Sequence, residues 1–153
     1  MKRLSGEIIR FFQNQGFVIV STIDKSGIPH NSCKGIVKIN QNGLIYLLDL
    51  YRGITHENLK QNSGISITAV DEHRFKGFCL KGRAKIISDK ELNSNIIKDW
   101  ERRLTSRITQ RVVKNVQGES GHPGQPESLL PKPEYLIVME IKEIVDLTPH
   151  HLK

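Results

Sequence analysis

The apolar positions change period several times along the chain, and each change predicts an element. Ile8, Ile9, Phe11 and Phe12 give residues 4–15 a helical stripe. "GFVIVSTID" (16–24) is apolar and β-branched, which predicts a strand. "DKSGIP" (24–29) carries the glycine and proline of a turn. A second strand follows in "HNSCKGIVKIN" (30–40), then the hairpin signal "QNG" (41–43) and a third strand, "LIYLLDL" (44–50). "THENLKQN" (55–62) reads as a short helix. "GISITAV" (64–70) and "FKGFCLKGRAKII" (75–87) are the fourth and fifth strands, with Gly77 and Gly82 marking bends, bulges or close backbone approach.

Ser88 and Glu91 form a capping-box pattern, "SDKE", which opens a helix running to about Asn115. Trp100, Leu104, Ile108 and Val112 fall on one face of it. Residues 118–133 have no period and hold Gly118, Gly121, Gly124, Pro123, Pro126, Pro131 and Pro133, so they read as a loop. Such a long loop is either a lid or binding loop, or disorder. "EYLIVMEIKEIVDL" (134–147) is the last strand. With no internal repeat and no linker, residues 1–153 are expected to form a single domain. Antiparallel strands interrupted by helices predict a mainly β (α+β) fold, a small barrel with packed helices.

Composition narrows the classes. A chain of 153 residues, 37% apolar and 25% charged, can bury a core without disulfides. No apolar run approaches the roughly 20 residues of a membrane helix. The start, "MKRLSGEIIRFFQNQ", lacks the long apolar core of a signal peptide, so the cytoplasm is the default compartment. Cys33 and Cys79 form no CxxC pair, and the histidines form no HxxxH pair, so no metal site is expected. The formal net charge of +7 favours an anionic partner: a nucleic acid, or a phosphorylated cofactor or substrate.

The polar cluster "YRGITHENLKQN" (51–62) ends an apolar strand. Thr55 suits an N-cap, and a helix start offers free N–H donors to a phosphate. Arg52 can add two parallel hydrogen bonds, and Gly53 permits close approach. His56 and Asn58 are polar neighbours in the first turn. An ordinary surface cap with a solvated arginine explains the same residues. Walker-type and dinucleotide glycine loops are both absent.

The order of strand, "SGIP", strand, "NG", apolar strand and then "RGITHENLKQN-GISITAV" resembles the FMN-binding split β-barrel family, the pyridoxamine 5′-phosphate oxidase-like superfamily. The resemblance covers about residues 10–90 and the strand 134–147. "NLKQN" is similar to the family's NL-x-x-NP segment, with Ser63 where proline is usual. It implies a six-stranded antiparallel split barrel, and a homodimer with FMN in each of two grooves between the subunits. It implies ring contacts at Asn31, Ser32, Cys33 and Lys34, and phosphate contacts at Arg52, Gly53, Thr55 and the amides before Asn58. Many members have lysine at the position of Thr55, which shifts charge to Arg52 or Lys34. Lys76 and Lys81 are the polar candidates on the fifth strand, and they share a side only if a bulge lies between them. Lys34 is also the candidate for stabilising a reduced flavin, against a plain solvated lysine. The chain ends "DLTPHHLK" and lacks the Arg-Leu-x-Pro signature of the oxidase itself.

The implied activity is that of an FMN-dependent oxidoreductase, with catalytic residues unassigned. Two alternatives stay open. One keeps the barrel and binds haem or a deazaflavin. The other is a basic OB-like module that binds nucleic acid through its strands and the face carrying Lys98, Arg102, Arg103, Arg107, Arg111 and Lys114. Aromatic content of only 6% supplies stacking poorly, so nucleic acid is the less favoured partner.

Overall fold

The structure is a computed structural model, and it describes residues 2–49, 52–88, 91, 94–116 and 135–153. Its elements run α1 (Gly6–Gln13), β1 (Val18–Ile23), β2 (Pro29–Ile39), β3 (Leu44–Leu48), α2 (Ile54–Gln61), β4 (Gly64–Asp71), β5 (Lys76–Ser88), α3 (Ser94–Val116) and β6 (Tyr135–Asp146). The strands close an antiparallel barrel in the order β1-β2-β3-β6-β5-β4. Both hairpin signals are used. Gly27 (φ 80°) and Gly43 (φ 87°) occupy the left-handed region that favours glycine. Asp24 Oδ1 accepts from the backbone N–H groups of Ser26 and Ile28, closing the first turn.

Alternation sorts each strand into an inner and an outer face. Val18 and Val20 of β1, Ile45 and Leu47 of β3, Ile67 of β4, Leu80 of β5 and Met139 and Ile141 of β6 fill the interior. β6 is apolar on both faces because both are covered. Its outer residues Leu136 and Val138, with Val37 and Ile87, pack against Ile96 and Trp100 of α3. Of the expected α3 stripe, Trp100 and Leu104 pack on the sheet, and the helix starts at Ser94. The capping-box pair closes a turn before it: the Ser88 N–H donates to Glu91 Oε2 at 3.0 Å. The Gly/Pro segment 118–133 and the side chains of Arg107, Ile108, Arg111, Val112 and Lys114 lie outside the described residues.

The two short helices pack toward opposite ends of the barrel. On α1, Phe11 meets Phe78 edge-on, at the level where β1 starts. Ser5 caps this helix, its side chain accepting from the Ile8 N–H. On α2, Asn58 Nδ2 donates to Thr22 Oγ1 at 3.0 Å, near the end of β1. At Gly82 a β-carbon would lie 2.0 Å from the Glu140 carbonyl oxygen, so this crossing requires glycine. The register shifts there too, with Lys81 opposite Glu143 and Gly82 opposite Ile141, leaving Lys142 as the extra residue on β6. No helix among the described residues is long and apolar enough to cross a membrane.

Candidate functional site

The polar residues gather where α2 meets the barrel mouth. In the β1–β2 ladder Val20 stands opposite Ser32 and Val18 opposite Lys34, so Ser32 and Lys34 share the inward-facing row. Asn31 and Cys33 alternate to the outer face, where both are exposed. The four residues expected to line one ligand therefore divide between two sides of the sheet. On the outside, Ser21 Oγ donates to Asn31 Oδ1 at 2.6 Å.

Inside the mouth, polar side chains are largely spent on one another. Ser32 Oγ and Thr55 Oγ1 share a hydrogen bond of 2.9 Å. The ladder that pairs Gly35 with Leu48 brings Lys34 opposite Asp49, which extends the inward row of Ile45 and Leu47. Lys34 Nζ lies 2.6 Å from Asp49 Oδ1, with side-chain exposures of 10% and 4%. Lys34 is thus neither a solvated strand lysine nor an uncompensated cation. Asp49 Oδ2 is buried and has no hydrogen-bond partner among the described residues.

The start of α2 differs from the expectation in one respect. Gly53, not Thr55, is the N-cap, in extended backbone and with no side-chain hydrogen bond to the helix. Thr55 lies inside the helix and is buried, its hydroxyl turned to Ser32 instead of back along the first turn. Glu57 N–H bonds to the Gly53 carbonyl, so the N–H groups of Ile54, Thr55 and His56 precede the first intrahelical bond. Gly53 is exposed, and a β-carbon built on it meets nothing within 4 Å.

Aromatic and basic groups flank this helix start. The Arg52 guanidinium lies 5.9 Å from the centre of the Tyr135 ring, and the His56 ring meets the same tyrosine edge-on at 4.9 Å. His56 Nδ1 is 3.2 Å from Glu57 Oε1. The Glu57 carboxyl is held below its ordinary value, first by that hydrogen bond and then by the Lys60 charge.

Lys76 and Lys81 do not join the cluster. Lys76 pairs with Glu7 of α1 and lies over Phe78, at the opposite end of the barrel. Lys81 pairs with Glu143 at 3.2 Å on the outer face. The bulge falls on β6, and β5 itself alternates without interruption, so the two lysines stay on opposite sides. Basic groups of α3 also have protein partners: Arg102 meets Asp99 at 3.1 Å, and Arg103 donates to the Gln15 carbonyl. Asp99 is reached by Lys38 of β2 as well. No group of three or more metal-ligating side chains assembles among the described residues.

Asp49 and Tyr135 are the residues that motif reading passed over. Strict alternation through "LIYLLD" places Asp49 inward with Ile45 and Leu47. That signal was present in the strand pattern.

Similar architectures are known. HupZ from Group A Streptococcus is 20% identical, with a TM-score of 0.63 over 95% of this chain and 94% of that one. A protein related to general stress protein 26, from Clostridium acetobutylicum, is 16% identical, with a TM-score of 0.58 over 96% and 95%. HutZ, the heme storage protein of Vibrio cholerae, is 19% identical, with a TM-score of 0.54 over 94% of both chains. At such identities these likenesses concern the fold. No match was found among the curated proteins. The family model for pyridoxamine 5′-phosphate oxidase matches residues 4–144, and with the barrel it identifies this chain as a member of the pyridoxamine 5′-phosphate oxidase family.

Proposed function

We propose that the protein is an FMN-binding flavoprotein that acts as an FMN-dependent oxidoreductase. The observation that carries this reading is the uncapped, open start of α2 beside Arg52. Three early N–H groups, the helix dipole and a guanidinium together suit a phosphate of nearly two negative charges. Thr55 leaves this site without the lysine of many relatives. Lys34 is neutralised by Asp49, so Arg52 carries the cationic part of the contact. Gly53 leaves room for phosphate oxygens to approach the backbone. Bound FMN supplies the hydride or electron transfer, and the chain holds and orients it. Ser32 and Lys34 face the mouth, whereas Asn31 and Cys33 would serve a ligand only from the outer face.

The working unit in this reading is a homodimer. β1 is apolar on both faces, like β6, yet no described element covers its outer side. Phe17 and Ile19 are 62% and 44% exposed, and Val70 on neighbouring β4 is 59% exposed. A second copy covering this face buries all three and places Asn31 and Cys33 at the contact, beside a groove between subunits. The two free thiols suit a reducing compartment, the cytoplasm.

The visible spectrum tests the ligand. Protein mixed with FMN is expected to show shifted flavin bands and quenched flavin fluorescence at micromolar concentration. A Soret band on adding haem, with no response to FMN, contradicts the reading.

A further inference from the structure

We infer that Asp49 is a specificity-determining residue, whose Oδ2 accepts a hydrogen bond from a hydroxyl or imide N–H of the molecule held at the start of α2. The inference rests on the flavin-phosphate reading of that site and goes on to say which part of the ligand is recognised.

The mouth of the barrel carries six inward polar side chains whose pairing can be followed. Ser32 and Thr55 take each other, and Asn58 donates to Thr22. Lys34 takes Asp49 Oδ1 at 2.6 Å. Asp49 Oδ2 is the buried oxygen left over in this group, on a residue only 4% exposed. A buried carboxylate oxygen without a donor is costly, and folded proteins rarely keep one without a use.

The chemistry of that oxygen restricts what fills it. An ionised carboxylate only accepts, so the ligand must present a donor. A phosphate presents none when doubly ionised, and so does not belong at Oδ2. Lys34 cancels the charge of Asp49, so the pair adds no net repulsion against a phosphate held by Arg52, three positions further along the chain. The fitting ligand is therefore anionic at one end and carries a neutral O–H or N–H donor elsewhere. FMN has two such sources, the hydroxyls of its ribityl chain and the imide N–H of its ring.

Binding measurements decide between these sources and against a purely structural role. The wild type, Asp49→Asn and the double variant Lys34→Met/Asp49→Leu are titrated by flavin fluorescence. The double variant removes both charges together, which a fold tolerates better than one orphaned charge. The probes are FMN, a flavin phosphate whose chain lacks hydroxyls, and FMN methylated at the imide nitrogen. In the wild type, one analogue is expected to bind at least about tenfold more weakly than FMN. In both variants that penalty is expected to shrink below about threefold, because Asn, its oxygen held by Lys34, presents an N–H where Oδ2 stood, and Leu presents no acceptor. The analogue that shows this coupling names the donor. Equal penalties in wild type and variants, or no penalty for either analogue, overturn the inference while FMN binding stands. Failure of the wild type to bind FMN overturns the flavin reading, and this inference with it.

Discussion

Ser32 Oγ on β2 and Thr55 Oγ1 on α2 lie 2.9 Å apart, and this contact helps to seat α2 in the mouth of the barrel. The hydroxyl that the motif reserves for a ligand or a cap is used for docking. In the proposed site, phosphate recognition then falls to Arg52 and to backbone N–H groups, whose position depends on how firmly α2 is held.

Thr55→Val tests this division of labour. The substitution keeps the shape but leaves Ser32 without its partner. It is expected to lower unfolding free energy by about 1 kcal/mol in urea titrations, while FMN affinity changes by less than about threefold because the amides remain. A large loss of FMN affinity with unchanged stability would return Thr55 to direct phosphate contact.

Ile19→Asp tests the proposed dimer. Ile19 stands opposite Cys33 on one side and Thr68 on the other, in the middle of the uncovered outer face. In an isologous interface one substitution puts two charges into the contact. Light scattering coupled to gel filtration is expected to show a dimer for the wild type and a monomer for the variant. A folded variant that stays dimeric moves the interface elsewhere.

Glu57 makes the pH behaviour of the α2 start measurable. Its folded pKa is lowered, so its contribution to stability is present above the ordinary value of 4.5 and is lost as pH falls through the folded value. Carboxyl NMR titration is expected to place Glu57 below 4.5, and His56→Ala to move it part of the way back, with Lys60 still acting. No movement in His56→Ala would assign the shift to Lys60 alone.

Most of the fold was legible because hydrophobic period and turn chemistry agree. "DKSGIP" and "QNG" each close a hairpin, and Trp100 seats α3 on the sheet. The continuous apolar runs in β1 and β6 looked alike as sequence. Only the packing separates them, since α3 covers β6 and nothing described covers the outside of β1. The placing of the candidate residues was legible in part. Arg52 and Gly53 lie at the helix start, as their position after an apolar strand implies. Capping propensity missed Thr55 because the same hydroxyl has a better partner across the barrel mouth. The family resemblance implies one lining from Asn31 to Lys34, although a strand sends neighbours to opposite faces. Lys34 and Asp49 are 15 residues apart. Their pairing follows from register, which no local motif records.

Affinity for FMN against riboflavin, in the wild type and in Arg52→Ala, isolates the contact at the start of α2, because the two ligands differ only in the phosphate. The wild type is expected to prefer FMN, and Arg52→Ala to lose about tenfold or more for FMN while riboflavin changes little. Equal losses for both ligands, or a wild type that does not distinguish them, would contradict a phosphate site at the start of α2.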